Sequence, residues 1–150
     1  MALLKRIVIH CTDTPVGREV SKAEITRWHK DAKPKGNGWT HYGYHFLVHL
    51  NGHISLLQPL PKTNNMTNDC VANGVKGYNA DSLHVCYVGG REKGSNKHID
   101  TRTPAQKFVL QEIVQTLRNY YGNLAVVGHH DLNPARACPC FDAKTEYNNV

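Results

Sequence analysis

No stretch of this sequence approaches the roughly 20 consecutive apolar residues that a helix needs to cross a bilayer. The opening residues, Met1-Ala-Leu-Leu-Lys-Arg6, run directly into Ile7-Val-Ile9 and then polar residues, so no cleavable apolar leader is expected. Cysteine never occurs as a CxxC pair, and five is an odd number. That suits neither a disulfide framework nor a four-cysteine structural zinc site, and a reducing compartment at the time of folding is expected. Repeats, low-complexity tracts and linkers are absent. Acidic residues are the scarcer charge, 12 against 18 basic, for a formal net charge of +6. An acidic solvating domain is excluded, and polyanions, either nucleic acid or a bacterial wall, become the partners to consider. No aromatic-basic alternation and no nucleic-acid motif supports the first, so Lys33, Lys35, Arg91, Lys93 and Lys97 read as a solvated basic surface.

What is present describes one domain spanning residues 1–150 with a core of ordinary size, since 40% of residues are apolar and 20% charged. Lys5 to Cys11 is a nearly continuous apolar run, as in a buried strand. Ser21-Lys-Ala-Glu24 has capping-box spacing and predicts a helix with Ile25, Trp28 and Ala32 on one face. Tyr44–Leu50 and His53–Leu57 read as a hairpin around Asn51-Gly52. Residues 58–81, rich in asparagine, read as a long surface loop. Ser82–Val88 is a further strand. Thr103-Pro104 opens a second helix whose Leu110, Ile113, Val114, Leu117 and Tyr121 share a face, and Gly122 stops it. Leu124–Val127 is the last strand. Strands interleaved with two helices predict an α/β domain, a mixed sheet of about five strands flanked by helices.

Ten histidines in 150 residues direct attention to metal chemistry. His10 closes the first strand, His129 and His130 follow the last, and Cys138 lies in the loop beyond. Two imidazoles and a thiolate would leave zinc a fourth position for water, and donors so far apart in sequence are brought together only by folding, as in catalytic sites. Spacing alone does not distinguish this from histidines buried or exposed for other reasons. Cys138 and Cys140 flank one proline, and in an extended segment residues two apart point to opposite sides, so one ion is not expected to take both.

The segments Ile7-Val-Ile-His-Cys11, Glu24-Ile-Thr-Arg-Trp-His29, Gly43-Tyr-His-Phe46, Lys76-Gly-Tyr-Asn79, Val85-Cys-Tyr-Val-Gly-Gly90, Thr103-Pro-Ala-Gln106, His129-His-Asp131 and Ala137-Cys-Pro-Cys-Phe-Asp142 together resemble the zinc-dependent N-acetylmuramoyl-L-alanine amidases. The resemblance is strongest to the T7 lysozyme-like branch, with peptidoglycan recognition proteins more distant. It covers almost the whole chain. It implies one catalytic zinc held by His10, His129 and Cys138, a catalytic tyrosine at Tyr44, and peptidoglycan as substrate. The Gly-His-x-Asp pattern favours His129, whereas counting back from Cys138 in the T7 branch picks His130. Arg136 stands where that branch has a catalytic lysine, and Gly74 where many relatives have a histidine near the cleft. Arginine keeps the charge but cannot release a proton near neutral pH.

The implied activity is hydrolysis of the bond between N-acetylmuramic acid and L-alanine, as in a phage or prophage lysin. Such a lysin accumulates in the cytoplasm without a signal peptide and reaches the wall after release. The alternative is a peptidoglycan-binding or polymerase-regulating protein of the same fold with little turnover. Contact with an RNA polymerase is carried by family analogy alone, and the chain is expected to be a monomer that binds neither membrane nor nucleic acid.

Overall fold

The computed structural model describes residues 2–150. In chain order the elements are β1 (Arg6–Cys11), β2 (Thr14–Pro15), α1 (Lys22–Lys30), β3 (Phe46–Val48), β4 (Ile54–Leu56), β5 (Ser82–Tyr87), β6 (Gly90–Arg91), α2 (Pro104–Tyr121), β7 (Ala125–Gly128), α3 (His129–Leu132) and α4 (Ala143–Glu146). A five-stranded sheet runs β4-β3-β5-β1-β7, and β2 and β6 form a separate parallel pair. β1 is parallel to both neighbours and β3 to β5, while β4 is antiparallel to β3. The mixed five-stranded sheet and its two main helices match the expected architecture; the short β2-β6 pair was not expected.

Strand alternation sorts the sheet into two faces. Ile7, Ile9, Leu83, Val85, Tyr87 and Val126 pack against Leu110, Ile113, Val114 and Leu117 of α2 in the larger core. The opposite face carries a smaller core that includes Val20, Ile25, Tyr42, Leu47 and Cys86. Both helices begin with complete capping boxes, Ser21 with Glu24 and Thr103 with Gln106. Each box satisfies two backbone donors that the first turn would otherwise leave unpaired. Gly122, at φ 98°, ends α2 in a conformation that side chains resist.

Two expectations differ from the structure. The buried face of α1 is Ile25 and His29, one turn apart, whereas Trp28 is exposed beneath the Arg18 guanidinium and Ala32 lies beyond the helix. The segment 58–81 is the long irregular loop expected, but it does not lie wholly at the surface. It holds two single-turn 3₁₀ helices and buries Met66, Cys70, Ala72 and Val75, apolar residues whose irregular spacing gave no periodic signal. Asn64 donates to the Tyr121 carbonyl at 2.5 Å, and Asn73 lines the cleft described next.

Candidate active site

Parallel strands place their carboxyl ends on one edge, and the loops leaving that edge are where α/β sheets build ligand sites. β1 and β7 are neighbours with Ile9 beside Gly128, so the next residue of each, His10 and His129, emerges side by side. Their rings meet edge to face, with centroids 4.9 Å apart. Cys138 arrives from the loop after α3. The donor atoms of His10, His129 and Cys138 all lie within 4.8 Å of one another. His10 is buried, and the other two are partly exposed.

The loop carrying Cys138 is fixed from several sides. The backbone N–H of His130 donates to the Cys138 carbonyl at 2.8 Å, and the Tyr87 hydroxyl donates to the Pro139 carbonyl at 2.6 Å. Farther along, Arg102 makes paired hydrogen bonds to Asp100 and to Glu146 and stacks 3.3 Å from the Phe141 ring centroid. The backbone N–H of Cys11 donates to the Cys138 sulfur at 3.1 Å, a contact suited to a sulfur bearing negative charge.

His130 stands outside this group. Its Nδ1 lies 3.3 Å from the Ala137 carbonyl and its Nε2 is 3.7 Å from Asp131. Cys140 also points elsewhere, 3.9 Å from the Cys11 sulfur and 3.3 Å from the Gly90 carbonyl. Tyr44 packs against His10 at 5.0 Å between ring centroids and against His29 at 5.2 Å. Arg136 is exposed and borders, together with His129, a cavity of about 580 Å³ that also touches Trp39, Asn73, Lys76 and Asn133. Tyr44, Arg136 and His129 share the adjoining cavities as well.

Burial, reinforced by His129 and His29, holds His10 well below the ordinary imidazole range. Burial, then the nearby Arg136 and His130, brings His129 down to about 4. Both rings are therefore neutral near pH 7, the form that can ligate a metal. Burial first, then the neighbouring Cys86, Cys138 and Cys11, pushes the Tyr44 phenol well above its ordinary value. The hydroxyl keeps its proton and acts as a donor.

Sequence reasoning missed three buried histidines around this group. His29 accepts the Gly43 N–H at 3.0 Å through Nδ1 and braces Tyr44. His45 accepts the His84 backbone N–H at 3.0 Å and contacts the Cys70 carbonyl at 2.7 Å. His84 Nδ1 lies 2.9 Å from His10 Nε2. The alternation His84-Val-Cys86 hints that His84 and Cys86 share a face, but the pairing of β5 with β1 was needed to bring that face to His10.

These buried imidazoles set an acid limit. Burial lowers His45 to about 4, against about 6.5 for an unfolded histidine. As pH falls, the unfolded chain takes up that proton first. Stability from this group is thus complete above about pH 6.5 and is lost progressively toward pH 4. The gap corresponds to about 3 kcal/mol for this one side chain. Urea unfolding of the metal-free protein should show a clearly lower midpoint at pH 4.5 than at pH 7. Equal midpoints would mean that His45 accepts its proton inside the fold.

Residues 2–141 match the family model described as N-acetylmuramoyl-L-alanine amidase. The endolysin of Klebsiella phage KP32 is 34% identical over 139 residues, covering 93% of this chain and 82% of the relative. The endolysin of Escherichia phage T7 is also 34% identical over 139 residues, covering 92% and 82%. Among solved structures, the Ph2119 endolysin from a Thermus scotoductus bacteriophage superposes with a TM-score of 0.65 at 27% identity, covering 93% of this chain and 79% of that one.

Proposed function

Because this chain belongs to the N-acetylmuramoyl-L-alanine amidase family and is a peptidoglycan amidase of the endolysin kind, we propose that His10, His129 and Cys138 hold one catalytic zinc ion and that Tyr44 and Arg136 complete the site. The observation that carries this reading is the convergence of three donors within 4.8 Å at the wall of the cleft that Tyr44 and Arg136 line. The donor set fits zinc: two neutral imidazoles and a thiolate satisfy its preference for nitrogen and sulfur and leave one position open. Bound there, zinc would polarise the scissile carbonyl and acidify water.

The chain's own groups account for the remaining requirements of amide hydrolysis. The cleft flanked by Asn73, Lys76 and Asn133 offers amide and ammonium donors to the carbonyl and carboxylate groups of a stem peptide. Tyr44, fully protonated, donates its O–H toward the oxygen that gains negative charge. The leaving amine needs a proton. The Tyr44 hydroxyl relays it from the attacking water, giving one proton and taking another, so no phenolate accumulates. Arg136 contributes charge to the same oxygen, in the planar guanidinium form that arginine keeps in proteins. As with the endolysins it resembles, the enzyme would meet its substrate at the wall; no described helix is long and apolar enough to cross a membrane.

Purified peptidoglycan digested with the protein should release stem peptides bearing new L-alanine amino termini. A chelator should stop the release and added zinc restore it. In that assay Arg136→Lys should retain most of the rate, whereas Arg136→Ala should lose roughly tenfold or more with its zinc content unchanged. Alanine matching wild type would remove Arg136 from the mechanism, and release that persists in chelator would remove the metal.

A further inference from the structure

His84 is fully buried in the middle of β5, on the same sheet face as His10 and one pleat away, since β5 pairs His84 with Val8 and Cys86 with His10. Its Nδ1 lies 2.9 Å from His10 Nε2, whereas its Nε2 is buried with no hydrogen-bond partner among the described residues. Two neutral imidazoles facing each other share one proton across that contact. If His84 were the donor, the His10 proton would sit on Nδ1 and His10 would have no free lone pair for a ligand. If His10 is the donor, its Nδ1 lone pair is free. Both arrangements leave the same His84 atom unpartnered, so hydrogen-bond count does not separate them. His45 cannot exchange roles with His84, because both of its nitrogens are engaged by backbone groups. Ligation separates them, because a metal on His10 Nδ1 requires the proton on Nε2.

The ring fits there because residue 74 is glycine. A Cβ at Gly74 would lie 2.2 Å from His84 Nδ1, 2.5 Å from Cε1 and 2.6 Å from Cγ. The side chain absent at position 74 is therefore matched by an imidazole rising from the strand below.

We propose that His84 is a positioning residue of the metal centre: its Nδ1 accepts the Nε2 proton of His10, fixes that ring's tautomer and rotation, and leaves Nδ1 as the ligating nitrogen, with Gly74 as the residue that admits it. Ligating histidines generally donate their second N–H to an oxygen, and removing such a partner weakens metal binding about 10- to 100-fold. Here the acceptor is a second imidazole. The proposal rests on reading His10, His129 and Cys138 as the zinc set, and the test separates the two.

Zinc affinity is measured by competition with a chelating dye for wild type, His84→Leu, His84→Asn and Gly74→Ala. His84→Leu should bind zinc about 10- to 100-fold more weakly. Its metal-free unfolding temperature should be equal to or above that of wild type, because a buried unpartnered polar atom has been removed. His84→Asn places an oxygen where Nδ1 stood and should restore most of the affinity. Gly74→Ala should weaken binding as His84→Leu does, by displacing the ring. Nitrogen-15 spectra of zinc-loaded wild type should show His10 protonated on Nε2; protonation on Nδ1 would overturn the proposal even if a variant failed to fold. Stoichiometric zinc in wild type with undiminished affinity in His84→Leu would overturn the role of His84 alone. A wild type that takes up no zinc would overturn the reading of the ligand set, and this proposal with it.

Discussion

Replacing His129 with alanine is expected to abolish both hydrolysis and stoichiometric zinc binding, while His130→Ala keeps both. The two side chains are neighbours in sequence but diverge in space. His129 stands edge to face with His10, 4.9 Å away, and lies within 4.8 Å of the other donors. The His130 ring is turned toward the Ala137 carbonyl and Asp131. The same contrast holds for the cysteines. Cys138→Ser substitutes a hard hydroxyl for a soft thiolate and should lose the ion. Cys140→Ser, whose sulfur faces Cys11 and the Gly90 carbonyl, should keep it. Metal-to-protein ratios after gel filtration, read beside peptide release, check all four variants. Zinc retained by His129→Ala and lost by His130→Ala would reverse the assignment, and an essential Cys140 would move the ligand loop by two residues.

Tyr44→Phe should lower the turnover number about a hundred- to a thousandfold, the usual cost of removing one donor to a developing oxyanion, with zinc content unchanged. The substitution removes only an oxygen, so the ring still fills the space between His10 and His29. With the phenol held by burial well above its ordinary value, its deprotonation is not expected to shape the pH–rate profile. The alkaline limb of wild type should therefore be absent or assignable to another group. Normal turnover by the phenylalanine variant would reduce Tyr44 to a packing residue.

Much of this architecture was legible before any coordinates, and the reasons are physical. Both capping boxes, the buried face of α2 and the Gly122 stop depend on residues within a turn of one another. The buried face of α1 was misjudged because a tryptophan counts as apolar in any periodic pattern, yet Trp28 packs its ring under Arg18 at the surface. Segment 58–81 was legible as a long loop, but its partial burial was not, because its buried residues follow no period. At the site, His10, His129 and Cys138 were approached through strand ends and a family resemblance. For His84 and His45 local alternation shows at most a shared strand face, since their part depends on β5 lying between β1 and β3.

The order of the strands also governs when the enzyme can come into being. β1 is made before both of its partners, β5, beginning at Ser82, and β7, ending at Gly128. Until those segments emerge, an apolar strand at the heart of the sheet has nothing to pair with. Pairings so distant in sequence close slowly, and early segments waiting for late ones are exposed to aggregation. The cleft draws its walls from both ends of that same span. A nascent chain halted before β7 thus has neither a completed sheet nor the meeting of His10 with His129 and Cys138, and wall-degrading capacity waits until β7 and the loop beyond it have been made.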